Sequence, residues 1–453
     1  MLLTGKKTQP TFASSNYKIN SMKHYVYPLA ILFGFGMVFA QDTITVSKSA
    51  LLEKVNANLQ LKIAEQQVAL ANADYNQSKA LFLPSISASH TAITTTNPLM
   101  AFGSKLNQER LTAADFNPAL LNNPNQIQNY ATRIEVLQPI INVDGFYQRK
   151  AAKIQQDAFA LQKERTAQYL QMEVEKAYMQ LQMAYKAVEV VEKAKKTTQA
   201  NLKLIENYFK QGMLQKTDLL AMQVRMNEVE NQLNLAKSQT KNLSDFIHFL
   251  LNEENKGVLK PQEGLQMLAL ESKTSSISLD RKDFQAMEQA TKAYENMHQS
   301  SKMNLLPRLN AFGSYELYDT KIFGFGAKGY TLGAQLSWNL FDGNKSLAQI
   351  QKSKVALEKQ RTEQEMYIKQ SNLEFAKTQR DLQDAENSIH LTKLALEQSK
   401  EALRIRTNRM EQGLEKTSDL LVSETMVAQK ELEHIQAVLQ YNITKNYLNF
   451  LSN

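Results

Sequence analysis

The sequence contains no cysteine, and its 453 residues include only 15 glycines, 9 prolines and one tryptophan. The absence of cysteine excludes a disulfide scaffold, a zinc finger, a cysteine nucleophile and an iron–sulfur centre. The six histidines never occur at the spacing of a helical zinc-protease site. The low glycine and proline content excludes collagen-like and low-complexity chains. We therefore expect neither a metal nor a cofactor.

Proline is also absent from two long stretches. None occurs between positions 140 and 260 or after position 307. Because proline interrupts the interior of a helix, each of these stretches can form helices of unusual length.

Basic residues are only slightly more numerous than acidic ones. The formal net charge is +8, but the first forty residues contribute four lysines and no acid, so that 49 basic and 45 acidic residues remain. From so even a balance we expect no nucleic-acid partner.

Residues 22–41 resemble a secretory signal peptide. They combine Lys23, an apolar run of 15 residues and the small-residue site that ends at Ala40. The apolar run is shorter than the ~20 residues of a membrane-spanning helix, which favours cleavage over the alternative of a membrane anchor. We therefore expect an upstream extension and signal peptide at 1–40 and an exported chain at 41–453. Met1 and Met22 both remain possible start sites.

The exported chain repeats itself after about 200 residues. Three pairs of similar segments recur in the same order, which favours a duplication: 83–88 with 306–311, 138–142 with 338–342, and 211–220 with 412–421. We expect two repeats, at about 44–255 and 277–453, joined by a linker at 256–276.

Alternating apolar and polar residues predict two strands in each repeat. The pattern covers 132–136, 309–317 and 330–338, and it is weakest at 84–93. Between the first pair of strands, the proline-containing segment 97–129 is predicted to be a long loop. The residues from Gly324 to Gly329 fit the form GxGxxG, but a strand rather than a helix follows, so we interpret them as a hairpin loop.

Two very long helices are predicted after the strand pairs, at 145–211 and 343–412. At 1.5 Å per residue each would be ~100 Å long, which requires coiled-coil-like packing. Four shorter helices are about half that length, and we expect them to stack end to end in pairs beside each long helix: 47–83, 217–250, 281–306 and 418–450.

The four strands have the length and alternation of a transmembrane barrel wall, although four strands cannot close a barrel. Because open edges are not tolerated in lipid, other subunits must complete it, and a trimer would supply twelve strands. Four aromatic residues near the strand ends suit the membrane interface: Tyr315, Tyr318, Tyr330 and Trp338. A soluble antiparallel sheet that carries a coiled coil is the alternative.

The paired strand motifs, the long helices and the two Gly-x5-Asp-Leu-Leu turns together resemble the TolC family of outer-membrane efflux proteins. The resemblance covers essentially all of the exported chain. It implies a mainly α fold with a small β part, in which a long antiparallel α-helical coiled-coil barrel continues from a twelve-stranded transmembrane β-barrel in a homotrimer. It also implies an outer-membrane location, with the helical tunnel and the linker 256–276 in the periplasm.

The implied function is passive export in a tripartite efflux or type I secretion system. The partners would be a periplasmic adaptor (membrane fusion protein), an inner-membrane RND or ABC transporter and outer-membrane lipid. No catalytic constellation is evident, so we expect no enzyme. A periplasmic coiled-coil scaffold without a pore is the alternative function, and the sequence names no exported substrate.

The two turns are the candidate functional site. Gly212 and Gly413 suit the C-caps of the long helices, and Thr217 and Ser418 suit the N-caps of the helices that follow. The resemblance implies that the tips bind the adaptor and that Asp419 and Asp218 line a pore constriction. The residues expected at the adaptor-binding tips are Gly212, Thr217, Asp218, Leu219, Gly413, Ser418, Asp419 and Leu420.

Charged residues near the second turn raise two further points. Where relatives can carry an arginine, this chain has Glu415, which argues against a tip-locking ion pair of that type. We interpret Arg404, Arg406 and Arg409 as a solvated helix end that is favourable to the helix dipole, with a basic tunnel patch as the alternative.

Overall fold

The computed structural model describes residues 43–269 and 276–453. The predicted signal peptide, both start sites and part of the predicted linker lie outside the described residues. Helices and strands follow in this order: β1 (Thr43–Val46), α1 (Lys48–Glu53), α2 (Leu59–Gln77), β2 (Ser85–Thr95), α3 (Pro98–Asn107), α4 (Pro118–Asn122), β3 (Ile127–Ile141), α5 (Val143–Lys210), α6 (Lys216–Leu250), β4 (Val258–Pro261), α7 (Lys282–Met303), β5 (Arg308–Asp319), β6 (Ala327–Ser337), α8 (Lys345–Glu411) and α9 (Thr417–Ser452).

The four predicted strands form one antiparallel sheet in the order β2-β3-β5-β6. All four are present. The strand β3 contains 15 residues and is therefore longer than the alternating pattern at 132–136 predicted. Within the described residues, β2 and β6 each have one edge without a strand partner. The chain therefore forms an open sheet rather than a closed barrel.

The two faces of this sheet differ in polarity. The register places Ile134, Tyr315 and Tyr330 side by side on one face, and Leu332 of this face is 75% exposed. The opposite face is polar, and there Arg133 Nε lies 3.3 Å from a carboxylate oxygen of Glu316. An exposed apolar face opposite a polar one is the arrangement of a barrel wall between lipid and water.

The helices form two antiparallel hairpins, which we name the first hairpin (α5 and α6) and the second hairpin (α8 and α9). The long helices contain 68 and 67 residues, so each is ~100 Å long as predicted. No helix in the described part of the chain is both long enough and apolar enough to cross a membrane.

The shorter helices stack end to end, as predicted. Asn58 Nδ2, before α2, donates a 2.6 Å hydrogen bond to the carbonyl of Leu250 at the end of α6. Arg281 Nη1, before α7, donates at 3.0 Å to the carbonyl of Leu451 near the end of α9. These side chains satisfy carbonyl groups that a helix end leaves without an intrahelical partner. The predicted helix at 47–83 is interrupted, since α1 and α2 are separate helices flanked by 3-10 turns.

Charged groups fill the junction between α9 and α7. Arg165 of α5 donates at 2.9 Å to the carbonyl of Phe450, and its guanidinium lies 3.7 Å from the centre of that ring. Asp283 accepts hydrogen bonds from Arg281 and from Tyr367 of α8. Burial raises the pKa of Asp283, but these hydrogen bonds outweigh burial and the pKa is lowered. The junction thus connects all four neighbouring helices through an ionised carboxylate.

The segment predicted to be the linker contains β4. This strand pairs in parallel with β1, and the two form a second small sheet. The largest buried apolar cluster surrounds this pair and includes the following residues of α1, α5, α6 and β4: Leu51, Leu170, Val174, Tyr178, Leu181, Ile247, Leu250 and Leu259.

The prediction of a long loop at 97–129 was wrong. It contains α3, a 3-10 turn, α4 and the start of β3. Asn97 caps α3 by accepting a 3.2 Å hydrogen bond from Met100 N, and Pro98 occupies the first turn. Asn117 and Pro118 begin α4 in the same way. Proline is well suited to the first helical turn, where its missing N–H needs no partner.

Candidate functional site at the hairpin tips

Both hairpins turn at a glycine in the left-handed conformation. The φ angles are +75° at Gly212 and +70° at Gly413, as the C-cap prediction requires. At the first turn, Met213 N donates at 2.9 Å to the carbonyl of Tyr208, and the second turn has the equivalent bond at the same length. Residues with a Cβ rarely adopt this conformation, which explains glycine at both positions.

The predicted N-caps were wrong. Thr217 and Ser418 lie inside the first turns of α6 and α9 rather than before them. At the first turn, Asp218 accepts a 3.1 Å hydrogen bond from the backbone N–H of Gln215, the residue that precedes α6. A carboxylate at the third helical position can reach back in this way, and there it also meets the positive end of the helix dipole. Asp218 and Asp419 both lie in a first helical turn, as predicted.

Two arginines hold a carboxylate at the second tip. Glu415 has a side chain only 10% exposed, and it accepts bonds of 2.9 Å from Arg406 Nη1 and 2.7 Å from Arg409 Nε. Arg406 also lies 3.7 Å from a carboxylate oxygen of Asp419, which is 48% exposed. All three arginine side chains are at least 39% exposed, as expected of a solvated helix end, and Arg406 and Arg409 in addition pair with Glu415. The second tip therefore has an ion-pair lock of its own, built around Glu415.

An apolar cluster joins the two tips. Ile205 of α5 and Met222 of α6 pack with Met410 of α8 and Leu420 of α9. Each of these side chains is at most 2% exposed. Leu420 therefore holds the hairpins together, and its side chain is buried rather than displayed at the surface of the tip.

A buried polar cluster joins the hairpins further from the tips. Glu424 of α9 is 6% exposed and accepts hydrogen bonds from Asn201 and, at 3.5 Å, from Thr198, both on α5. Burial raises the pKa of Glu424 to about 7, against the opposing effect of the Arg225 charge. Sequence reasoning missed this residue. The signal was present, because Glu424 is four residues from Leu420 and three from Val427, on an apolar stripe of α9.

The remaining predicted tip residues differ in accessibility. Gly212, Thr217, Gly413 and Ser418 are exposed, whereas Leu219 is half-buried. Several apolar side chains that were not predicted are also exposed there: Met213 is 70% exposed, Leu414 63% and Val422 59%.

The predicted interface aromatics divide between the two faces of the sheet. Tyr315 and Tyr330 are paired neighbours on the apolar face. Trp338 follows β6 and is 61% exposed, with its Nε1 donating at 2.9 Å to the carbonyl of Leu305. Tyr318 lies on the polar face, where its hydroxyl donates to Glu316. The period of 2 along β5 turns Tyr318 away from Tyr315, so the four aromatics do not share one face of the sheet.

No cluster of side chains among residues 43–269 and 276–453 has the composition of a metal site. Residues 324–326 of the GxGxxG segment lie in the hairpin loop between β5 and β6, as predicted, while residues 327–329 already form the start of β6. The backbone of the loop is held by Asp319, which accepts a 2.9 Å hydrogen bond from Gly326 N.

A comparison with protein families gives a match over both halves of the chain. The sequence model described as "Outer membrane efflux protein" matches residues 52–252 and 275–453. The chain belongs to the outer membrane efflux protein family. The resemblance to the TolC family is thereby confirmed, as are the outer-membrane location and the role in efflux.

Solved structures show the same fold. CusC is similar with a TM-score of 0.77 at 14% identity, covering 90% of this chain and 92% of that one. The Campylobacter jejuni outer membrane channel CmeC gives 0.75 at 14%, covering 89% and 85%. The open state of the Neisseria gonorrhoeae channel MtrE gives 0.70 at 16%, covering 90% and 89%. The mainly helical fold with a small sheet is thus confirmed, while a comparison with curated protein sequences found no significant match.

Proposed function

We propose that three copies of this chain form a passive export channel in the outer membrane. The channel works with a periplasmic adaptor and an inner-membrane RND or ABC transporter, in a tripartite efflux or type I secretion system. The chain itself catalyses no reaction, and its partner pump supplies the energy.

The open sheet carries this proposal. One chain presents four strands with an exposed apolar face, a polar face and two edges without a strand partner in the described residues. Unpaired backbone groups are too costly in lipid to remain at such edges. Three copies that pair β6 of one chain with β2 of the next supply twelve strands, above the eight of the smallest single-chain barrels. The apolar face then meets lipid, with Tyr330 and Trp338 at opposite ends of the apolar band.

The hairpins supply the second part of the channel. Helices of ~100 Å extend the polar interior of the barrel into a tunnel whose far end consists of the two tips. In a trimer, three copies of Asp419 would lie around one axis and attract cations, with Asp218 as the equivalent residue of the other hairpin. The exposed residues of both turns form the surface for the adaptor.

The predicted organisation of the chain belongs to the same proposal. Export requires the signal peptide at 1–40, and the repeats at about 44–255 and 277–453 each supply two strands and one hairpin. The linker 256–276 lies on the periplasmic side.

Crosslinking at the tips in intact cells tests the partner. A photoreactive amino acid at Leu414 should trap a periplasmic adaptor, whereas the same residue at Leu391 should not. The two positions are matched, because both side chains lie on or next to α8 and are 63% exposed. Equal trapping at both positions, or none at Leu414, would contradict an adaptor at the tips.

Membrane extraction tests the channel against the scaffold alternative. A barrel-forming trimer should require detergent for release from outer membranes and should change its mobility on heating. Release by salt alone would favour the scaffold.

A further inference from the structure

The polar cluster around Glu424 has no part in the function proposed above. It lies where the two hairpins face each other, with Glu424 contributed by α9 and its hydrogen-bond donors Thr198 and Asn201 contributed by α5. Each donor is at most 8% exposed. A carboxylate in such a place is costly unless it is paired with a charge or binds a proton.

Charge pairing is absent from this site. Glu424 makes no salt bridge with any described residue, and both its hydrogen-bond donors are neutral. The charge of Arg225 on α6 acts on Glu424 in the opposite direction to burial, but its Nη1 is bound to Glu228 on its own helix at 3.2 Å. The Arg225 side chain is itself buried, and its Nε has no hydrogen-bond partner among the described residues.

The surroundings of Glu424 leave room for water but do little to stabilise its charged form. A cavity of about 140 Å³ adjoins Glu424. The charged side chains that line it come from every helix packed there: Lys193 of α5, Arg225 of α6, Lys400 of α8, and Glu424 and Glu431 of α9. The effect of burial is nevertheless larger than that of the Arg225 charge, and the pKa of Glu424 is raised to about 7.

We propose that Glu424 is a proton-binding site between the two hairpins, and that its proton holds the hairpin tips together. The tips are free to separate because the covalent connection between α6 and α8 runs through the sheet, at the other end of the long helices. Separation of the tips would expose Glu424 to water and return the pKa of its carboxyl to the ordinary value. The carboxyl would then release its proton.

The direction of the pH effect follows from this linkage. The Glu424 carboxyl has its higher pKa in the packed state, so the stabilisation from its proton is complete below a pH of about 4.5 and is lost as pH rises through 7. With a pKa of about 7 when packed and an ordinary value of 4.5 when separated, the ratio of separated to packed tips rises about tenfold between pH 6 and pH 8. The ratio levels off above pH 8.

Distances between the tips measure this ratio directly. The chain has no native cysteine, so spin labels can be placed at Met213→Cys and Leu414→Cys, one in each turn. The labelled full-length chain is diluted with unlabelled chain in lipid nanodiscs, so that one copy per assembly is labelled. Pulsed electron spin resonance then gives the populations of packed and separated tips at each pH.

We expect the tenfold change in the wild type and no change in Glu424→Gln, which mimics the protonated carboxyl. Glu433→Gln is the matched control, because it removes an exposed charge from the same helix and should keep the wild-type response. A wild type without pH dependence, or a Glu424→Gln variant that keeps it, would overturn the proposal.

A second variant protects the test against misfolding of the first. Arg225→Gln removes the charge that opposes protonation, so the transition should move to higher pH, and an unchanged midpoint would overturn the proposal. Any effect on export rests on the proposed function, but the distances do not. A pH-dependent separation in a chain that never conducts would leave the proton site standing and refute only the channel.

Discussion

Removing the charge of Glu415 should loosen the second hairpin tip. The carboxylate is 10% exposed and joins the end of α8 to the turn through Arg406 and Arg409. Hydrogen bonds to charged groups contribute about 1.5–3 kcal/mol each. The two arginine side chains are 39% and 56% exposed, so solvent screening reduces this. For Glu415→Gln we therefore expect a loss of about 1–2 kcal/mol.

Hydrogen–deuterium exchange of a peptide that covers the second turn measures this loss. A change of 1–2 kcal/mol corresponds to local opening about 5–30 times more frequent. Glu401→Gln is the control, since it removes the same charge from α8, the helix that leads into the turn, but from an exposed pair with Arg404. Because both side chains of that pair are exposed to solvent, exchange should change no more than about twofold. If the turn exchanges no faster in Glu415→Gln than in Glu401→Gln, the lock around Glu415 is refuted.

Three further substitutions test other features of the tips. Asp419→Ala should raise single-channel conductance and weaken block by divalent cations, because it removes the carboxylates at the proposed constriction; unchanged conductance and block would exclude that role. Gly413→Ala should cost about 1–2 kcal/mol because φ is +70°, and exchange at the turn should quicken accordingly, whereas Gly103→Ala in α3 should be neutral or stabilising. Leu420→Ala should cost about 2–5 kcal/mol by opening a cavity between the hairpins, seen as faster proteolysis of the tips; equal proteolysis of Leu414→Ala, at an exposed position, would argue against that core.

The regular elements were predictable because their signals are local. The long helices end within two residues of the predicted positions, since Gly212 and Gly413 and the absence of proline define them. The strands at β5 and β6 follow the alternation of apolar residues almost residue by residue. Even the end-to-end stacking of the short helices followed from their lengths.

The errors have separate local causes. Prolines in the segment 97–129 were taken to indicate a loop, but Asn97 and Asn117 precede two of them and make each an ideal helix start. Thr217 is a good capping residue, yet Asp218, one residue later, competes with it by accepting a hydrogen bond from the backbone N–H of Gln215. Ser418 falls inside the first turn because α9 already begins at Thr417.

The contacts that join distant parts of the chain were not predictable in this way. Glu424 meets Asn201 across more than two hundred residues, and Arg165 caps a carbonyl at Phe450. Such pairs depend on how the hairpins are set beside each other, and no periodicity in one helix specifies its partner. The lock at Glu415 is closer in sequence, but it depends on the turn that brings Arg406 and Arg409 back to it.

The most direct test of the account is the conductance of residues 41–453, the proposed mature chain, in a planar lipid bilayer, with its oligomeric mass measured in the same preparation. We predict a trimer that gives small, discrete openings sensitive to divalent cations. A monomer that stays soluble without detergent and never conducts would contradict the channel.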